Sequence, residues 1–222
     1  MARKTKEASQ KTREAIMTAA TTVFYERGVA RASLQEIAET AGVTRGAIYW
    51  HFKDKVALLT ALATEVFSPN EALLERLAQD SSDDPLGLLH KTGLETLHAM
   101  LNDPMRRRVF TILTQRCEYV AEMQALSASN TESRNRVRDR LIRILHQAEK
   151  NGQLAAPWAP ATAAAALQGL FFGFLHLDTE YATPSQHRDG LYAASIDALF
   201  ASFTPSGKAY AITEKPAPKR TA

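Results

Sequence analysis

The chain has 222 residues, 45% of them hydrophobic and 23% charged, with a formal net charge of +3. That is enough to bury a sizeable core as one large domain or two small ones, and the balance excludes a disordered or fibrous chain. A single cysteine excludes an internal disulfide and a four-thiolate zinc site and agrees with a reducing compartment, while the charged opening residues lack the apolar run of a signal peptide, so a cytoplasmic location is expected.

Arg3, Lys4, Lys6, Lys11 and Arg13 open the chain as a basic arm suited to phosphate contact. Over residues 10–27 the apolar positions Ile16, Ala19, Ala20, Val23 and Phe24 recur at i, i+3, i+4, i+7 and i+8, which predicts an amphipathic helix ended by Gly28. Ser33, with Glu36 three residues on, has capping-box spacing and starts a second helix. Leu34, Ile37, Ala38 and Ala41 give that helix one apolar face, and Gly42 ends it. Val43 fills a turn, Thr44 is a second N-cap, and residues 45–50 form a third helix that begins with the small residues Gly46 and Ala47, so its backbone can approach a surface closely. Ile48 and Phe52, four apart, are core positions that hold this helix on its neighbours.

Two short helices joined by a tight turn suit a duplex groove. A helix N-terminus offers unpaired N–H groups and a partial positive charge, and the second helix of such a pair enters the major groove with its first residues at base edges. Thr44, Arg45 and Gly46 are the candidate base readers; Ser33, Tyr49, Trp50, His51 and Lys55 are candidate phosphate contacts, and Ala47 permits close approach.

The run GVTRGAIYWHFKDK (residues 42–55), preceded by SLQEIAETA and by Thr12 and Arg13, resembles the signature of the TetR family of one-component repressors, and within it the AcrR-type regulators of multidrug efflux pumps. The likeness spans roughly residues 12–62. Beyond it only DPLG at 84–87, RCE at 116–118 and GQL at 152–154 still look like the efflux subgroup. The resemblance implies an all-α fold, with a three-helix N-terminal helix-turn-helix domain and a larger helical ligand-binding and dimerisation domain.

Asp54 caps a fourth helix whose Val56, Leu58, Leu59, Leu62, Ala63, Val66 and Phe67 make one side apolar. Ser68-Pro69 predicts a kink or break near Phe67, since the residue before proline is driven from the helical region. Helical character resumes over 71–78, residues 79–85 read as loop, and further helices follow over 86–101, 105–118, 126–151, 161–177 and 189–203, with a loop near 119–124. Arg106, Arg107 and Arg108 read as a charged face near a helix start. Residues 159–177 are the most apolar stretch, but Pro160, Thr162, Gln168 and His176 interrupt it, so a buried helix covered on several sides is expected, and no membrane association. Residues 204–222 read as disordered. The expected division is residues 1–53 for the basic arm and DNA-binding domain, 54–203 for ligand binding and dimerisation, and 204–222 for the tail.

The last two helices carry Phe171, Phe172, Phe174, Tyr192, Phe200 and Phe203, more apolar surface than one copy is expected to cover, which points to a two-fold homodimer and an operator of inverted half-sites. The middle helices set isolated polar residues among apolar ones, the usual build of a small-molecule site. The candidate lining is Val66, Phe67, Thr96, Phe110, Leu113, Thr114, Asn130, Val137, Leu141, Gln168, Phe171 and Phe172. The expected function is a repressor that double-stranded operator DNA holds and a hydrophobic small-molecule inducer releases, by swinging the fourth helix, in control of a multidrug efflux operon. Control of a metabolic operon by an endogenous metabolite and non-specific architectural DNA binding are the alternatives. No nucleophile elbow, phosphate loop, HExxH or paired histidine spacing occurs, so neither catalysis nor a metal or other cofactor is expected. Cys117 would sense redox state only as an exposed, activated thiolate.

Overall fold

The computed structural model describes residues 2–117, 124–180 and 185–205. Among these every regular element is helical: α1 (Ala2–Arg27), α2 (Leu34–Ala41), α3 (Arg45–His51), α4 (Lys55–Gln79), α5 (Pro85–Asn102), α6 (Pro104–Gln115), α7 (Gln124–Lys150), α8 (Pro160–Glu180) and α9 (Ser185–Phe203). Glu118, residues 119–123 of the expected loop and the tail beyond 205 lie outside the described residues, while Gln124, expected in that loop, opens α7.

Helices α1 to α3 close around Ile16, Ala20, Phe24, Ile37, Ala38, Ile48 and Phe52, all buried. The local signals act as their chemistry dictates. Ser33 and Glu36 form a reciprocal capping box, Gly42 ends α2 at φ 66 where a side chain would be strained, and the Thr44 hydroxyl accepts from Ala47 N–H at 3.1 Å to start α3. The first helix starts earlier than expected: the chain is helical from Ala2, so the basic arm forms part of α1, because no glycine or proline interrupts residues 2–27 and alanine, lysine, glutamate and arginine propagate a helix well.

The break at Ser68-Pro69 is also absent. Helix α4 runs unbroken through Pro69. Glu65, Ser68 and Pro69 are exposed, so the carbonyl that loses its amide partner meets water, while Leu62 and Val66 on one side and Leu74 and Ala78 on the other are packed and hold both halves in line. Helix α4 therefore joins the N-terminal unit to the larger bundle as one rod.

In that bundle α5 packs against α4, α6, α7, α8 and α9. Its buried Leu86, Leu89, Leu97, Met100 and Leu101 belong to the same core as Ile112, Ile144, Leu145, Phe200 and Phe203. Two polar clusters lock helix to helix. Glu71 and Glu75 of α4 bind Arg136, Arg140 and Arg143 of α7. At the other end Asp178 of α8 pairs with Arg188 of α9 at 2.5 Å and Arg107 of α6 at 2.8 Å, and Arg188 also reaches Asn102 of α5 at 3.3 Å. Arg107 is out of line for a hydrogen bond, so Asp178 Oδ2 depends on it for charge alone. In the arginine run, Arg106 pairs with Asp103 at the α6 N-cap and Arg108 lies 5.7 Å over the Tyr25 ring, so all three side chains serve packing.

Helix α8 departs from the fully covered helix expected of it. It is long and apolar enough to span a membrane by composition, yet only 28% of its most apolar window is buried in a single chain. The aromatics thought to need a partner are covered: Phe174, Tyr192, Phe200 and Phe203 are 7%, 6%, 1% and 0% exposed, and Phe171 and Phe172 turn toward an interior cavity. What faces outward instead is small. Ala161, Ala165 and Gly169 on α8 and Gly190, Ala194, Ala198 and Ser202 on α9 form exposed stripes at four-residue spacing, beside the exposed Leu177 and Leu191.

Asp178 is 3% exposed and Arg188 3%. Removing one partner of a buried pair leaves an uncompensated charge, at a cost of about 3–5 kcal/mol. Asp178→Ala is expected to lower the unfolding free energy by about that amount in urea denaturation, whereas Arg106→Ala, at the exposed α6 N-terminus, should change it by less than about 1 kcal/mol.

Candidate nucleic-acid interface and ligand cavity

Helix α3 is presented outward because its inner side is anchored. Ile48 is fully buried, and Phe52, 5% exposed, lies under the Arg13 guanidinium at 5.5 Å. Arg13, read from the sequence only as part of the basic cluster and of the family signature, ties α1 to the end of α3. The opposite face is open: Thr44, Arg45, Gly46, Tyr49 and Trp50 are exposed, Trp50 at 82%, and Ala47 and His51 are partly so. Arg45 Nη2 donates to Tyr49 Oη at 3.0 Å and its guanidinium stacks 5.4 Å from that ring, which steadies the longest cation on this surface.

Two of the expected DNA contacts are already engaged. Ser33 spends its hydroxyl on Glu36, and the backbone and hydroxyl hydrogen bonds of Ser33 hold the Glu36 carboxyl below its ordinary range. Lys55 donates to the carbonyls of Ala30 at 3.2 Å and Ala32 at 3.0 Å, closing the α1–α2 turn onto the start of α4. Its ammonium is thus first a brace inside the unit, a role that sequence spacing could not reveal.

A cavity of about 200 Å³ lies inside the larger bundle. Phe67, Thr96, Phe110, Leu113, Thr114, Asn130, Val137, Leu141, Gln168, Phe171 and Phe172 border it. Val66 does not: it is 4% exposed in the core of α4, one residue round the helix from the cavity face. The neighbours missed on α5, Leu89, Thr92, Gly93 and Met100, share the helical face of Thr96 and were legible from its i−7, i−4, i−3 and i+4 positions. Phe110 and Phe172 stack across the cavity at 6.5 Å and 27°.

Two helices touch both sites. Helix α4 starts at the turn braced by Lys55 and reaches the cavity at Phe67, Asn70, Glu71 and Leu74. Helix α6 lines the cavity with Phe110, Leu113 and Thr114, and just beyond it the Arg116 carbonyl accepts from Val29 N–H at 2.9 Å. Burial pushes the Cys117 thiol up despite the nearby Lys55 charge, the reverse of an activated thiolate. Among the described residues no cluster of three or more His, Cys, Asp or Glu could hold a metal.

Residues 16–62 match the model of bacterial regulatory proteins of the tetR family, and residues 84–178 match the C-terminal region of MAATS-type transcriptional repressors. The chain belongs to the TetR family. The transcriptional repressor BepR of Brucella suis is 41% identical over 78% of this chain and 83% of its own. The solved structure of NalD, the secondary repressor of the MexAB-OprM multidrug efflux pump of Pseudomonas aeruginosa, superposes with a TM-score of 0.76 at 32% identity, covering 90% of this chain and 99% of that one. A SmeT–triclosan complex superposes at 0.79 with 32% identity, covering 94% and 99%. This TetR-family chain is therefore a transcriptional repressor by kinship, with relatives that act on efflux pumps.

Arg45→Ala is expected to remove about 1–3 kcal/mol of affinity for the cognate site while changing affinity for random duplex far less, read by fluorescence anisotropy at one fixed salt concentration.

Proposed function

We propose that this TetR-family protein is a cytoplasmic, ligand-responsive repressor that binds a palindromic operator as a homodimer and is released by a hydrophobic small molecule, controlling a multidrug efflux operon. The observation that carries this reading is the double attachment of α4 and α6, each of which forms cavity wall at one point and supports the helix-turn-helix at another. A ligand that alters the spacing of Phe67 and Phe110 has two rigid routes to the recognition helix. The ligand needs only a few kcal/mol of differential affinity between the two conformations, because each 1.4 kcal/mol is tenfold in DNA binding. The efflux role is supported by the likeness to NalD and SmeT, each the repressor of a multidrug efflux pump.

The dimer rests on the outward stripes of α8 and α9. A Cβ built on Gly169, Gly173 or Gly190 meets nothing within 4 Å, so a second copy could bring its helices close there, with Leu177 and Leu191 as the larger apolar contacts. Such pairing would set two α3 helices about one turn of duplex apart.

Footprinting on the DNA flanking its own gene should protect two inverted half-sites, and titration of a substrate of the adjacent pump should lower the affinity at least tenfold. Binding of scrambled competitor as tight as that of any promoter fragment would exclude a repressor. Gly169→Arg should yield monomers in light scattering and cut operator affinity by about 100-fold or more; a dimer of unchanged affinity would move the interface elsewhere.

A further inference from the structure

Among the described residues two ionisable side chains border the cavity, Glu71 and Arg134, and they differ in availability. The Glu71 carboxylate accepts from the Ser133 hydroxyl, from Arg136 Nε at 3.0 Å and Nη2 at 3.3 Å, and from Arg140 Nη1 at 3.2 Å. Burial pushes its pKa up, but these donors and the charges of Arg136 and Arg140 outweigh burial and hold it below the ordinary 4.5. At neutral pH it is an anion already surrounded by two guanidinium groups. A cationic guest would find that charge spent.

Arg134 is the reverse case. It is exposed at the cavity mouth, its backbone carbonyl accepts from Gln168 Nε2 at 3.0 Å, and its guanidinium lies 6.0 Å from the Phe172 centroid. Among the described residues no carboxylate pairs with it. Phe172 in turn stacks on Phe110, so aromatic faces lead from the interior to a positive charge whose donors are uncommitted. Every other polar residue of the lining, Thr114, Ser133 and Gln168 included, is neutral.

We propose that the cavity selects aromatic compounds carrying a carboxylate, a phenolate or another anionic acceptor over aromatic cations of the same size, and that Arg134 is the residue that makes the choice. The ring of the guest would lie on Phe110 and Phe172 and its anionic group would meet the Arg134 guanidinium. This deepens the reading of the cavity as the inducer site and depends on it.

The test is isothermal titration calorimetry on the full-length protein with four probes built on one ring system: methylnaphthalene, naphthol, naphthoate and trimethyl(naphthylmethyl)ammonium. Naphthoate should bind about tenfold or more tighter than the ammonium compound. Arg134→Gln should cost naphthoate about tenfold and leave methylnaphthalene unchanged, and Glu71→Gln should not weaken the ammonium compound. Should the ammonium probe match naphthoate, or Arg134→Gln weaken all four alike, charge selection is wrong while the cavity stands as a site. If no probe binds, or Thr96→Trp, which fills the space, leaves all affinities unchanged, the cavity reading itself fails and this inference with it.

Discussion

A cavity within a helical bundle depends on its helices being held apart. Apolar walls around a space near 200 Å³ give up packing contacts with one another, so the helices that carry them must be fixed by other means. Here the fixing is ionic and sits at the edges. Glu71 and Glu75 clamp α4 to α7 through Arg136, Arg140 and Arg143. Asp178 ties α8 to α9 and α6 through Arg188 and Arg107. Fixed-geometry guanidinium pairs suit this task better than more apolar packing, which would tend to fill the void.

The same clamps bear on how a guest could act under the proposed function. A soft wall would absorb a guest by local side-chain motion; a wall pinned at both ends passes displacement along the helix axis. Helix α4 is pinned to α7 beside the cavity and to the α1–α2 turn by Lys55, and α6 is pinned to α8 by Arg107 and to the residue after Gly28 by the Arg116 carbonyl. On the proposed function, coupling over such a distance would be a matter of rigid bodies and their end contacts.

Local chemistry made the N-terminal unit legible. Capping at Ser33, Thr44 and Asp54, the left-handed Gly42 and the apolar spacing of α1 and α2 are each settled by neighbours within four residues, and the fold reproduces them. The failures share a cause: they needed knowledge of what packs where. Pro69 could not be known to sit on the wet side of a helix held at both ends, nor Val66 to point into the core while Phe67 meets the cavity. Lys55 was read as a candidate phosphate contact, and its second role as a brace was out of reach because nothing in its neighbourhood in sequence shows the carbonyls of Ala30 and Ala32, more than twenty residues earlier. The aromatics of α8 and α9 were read as surplus because the volume they fill is set by α5, whose buried face they meet.

The chain contains two tryptophans, and the fold puts one in each working part. Trp50 stands 82% exposed on the recognition helix, while Trp158 lies edge-on to Phe203 at 4.9 Å in the loop before α8, among the residues that seat the last two helices. Their indoles occupy unlike surroundings, one wet and one shielded, so the red and blue sides of the native emission band report separately on the exposed tip of α3 and on the seating of the terminal helices. The molecule carries its own pair of optical labels, one in the N-terminal unit and one at the base of the last two helices.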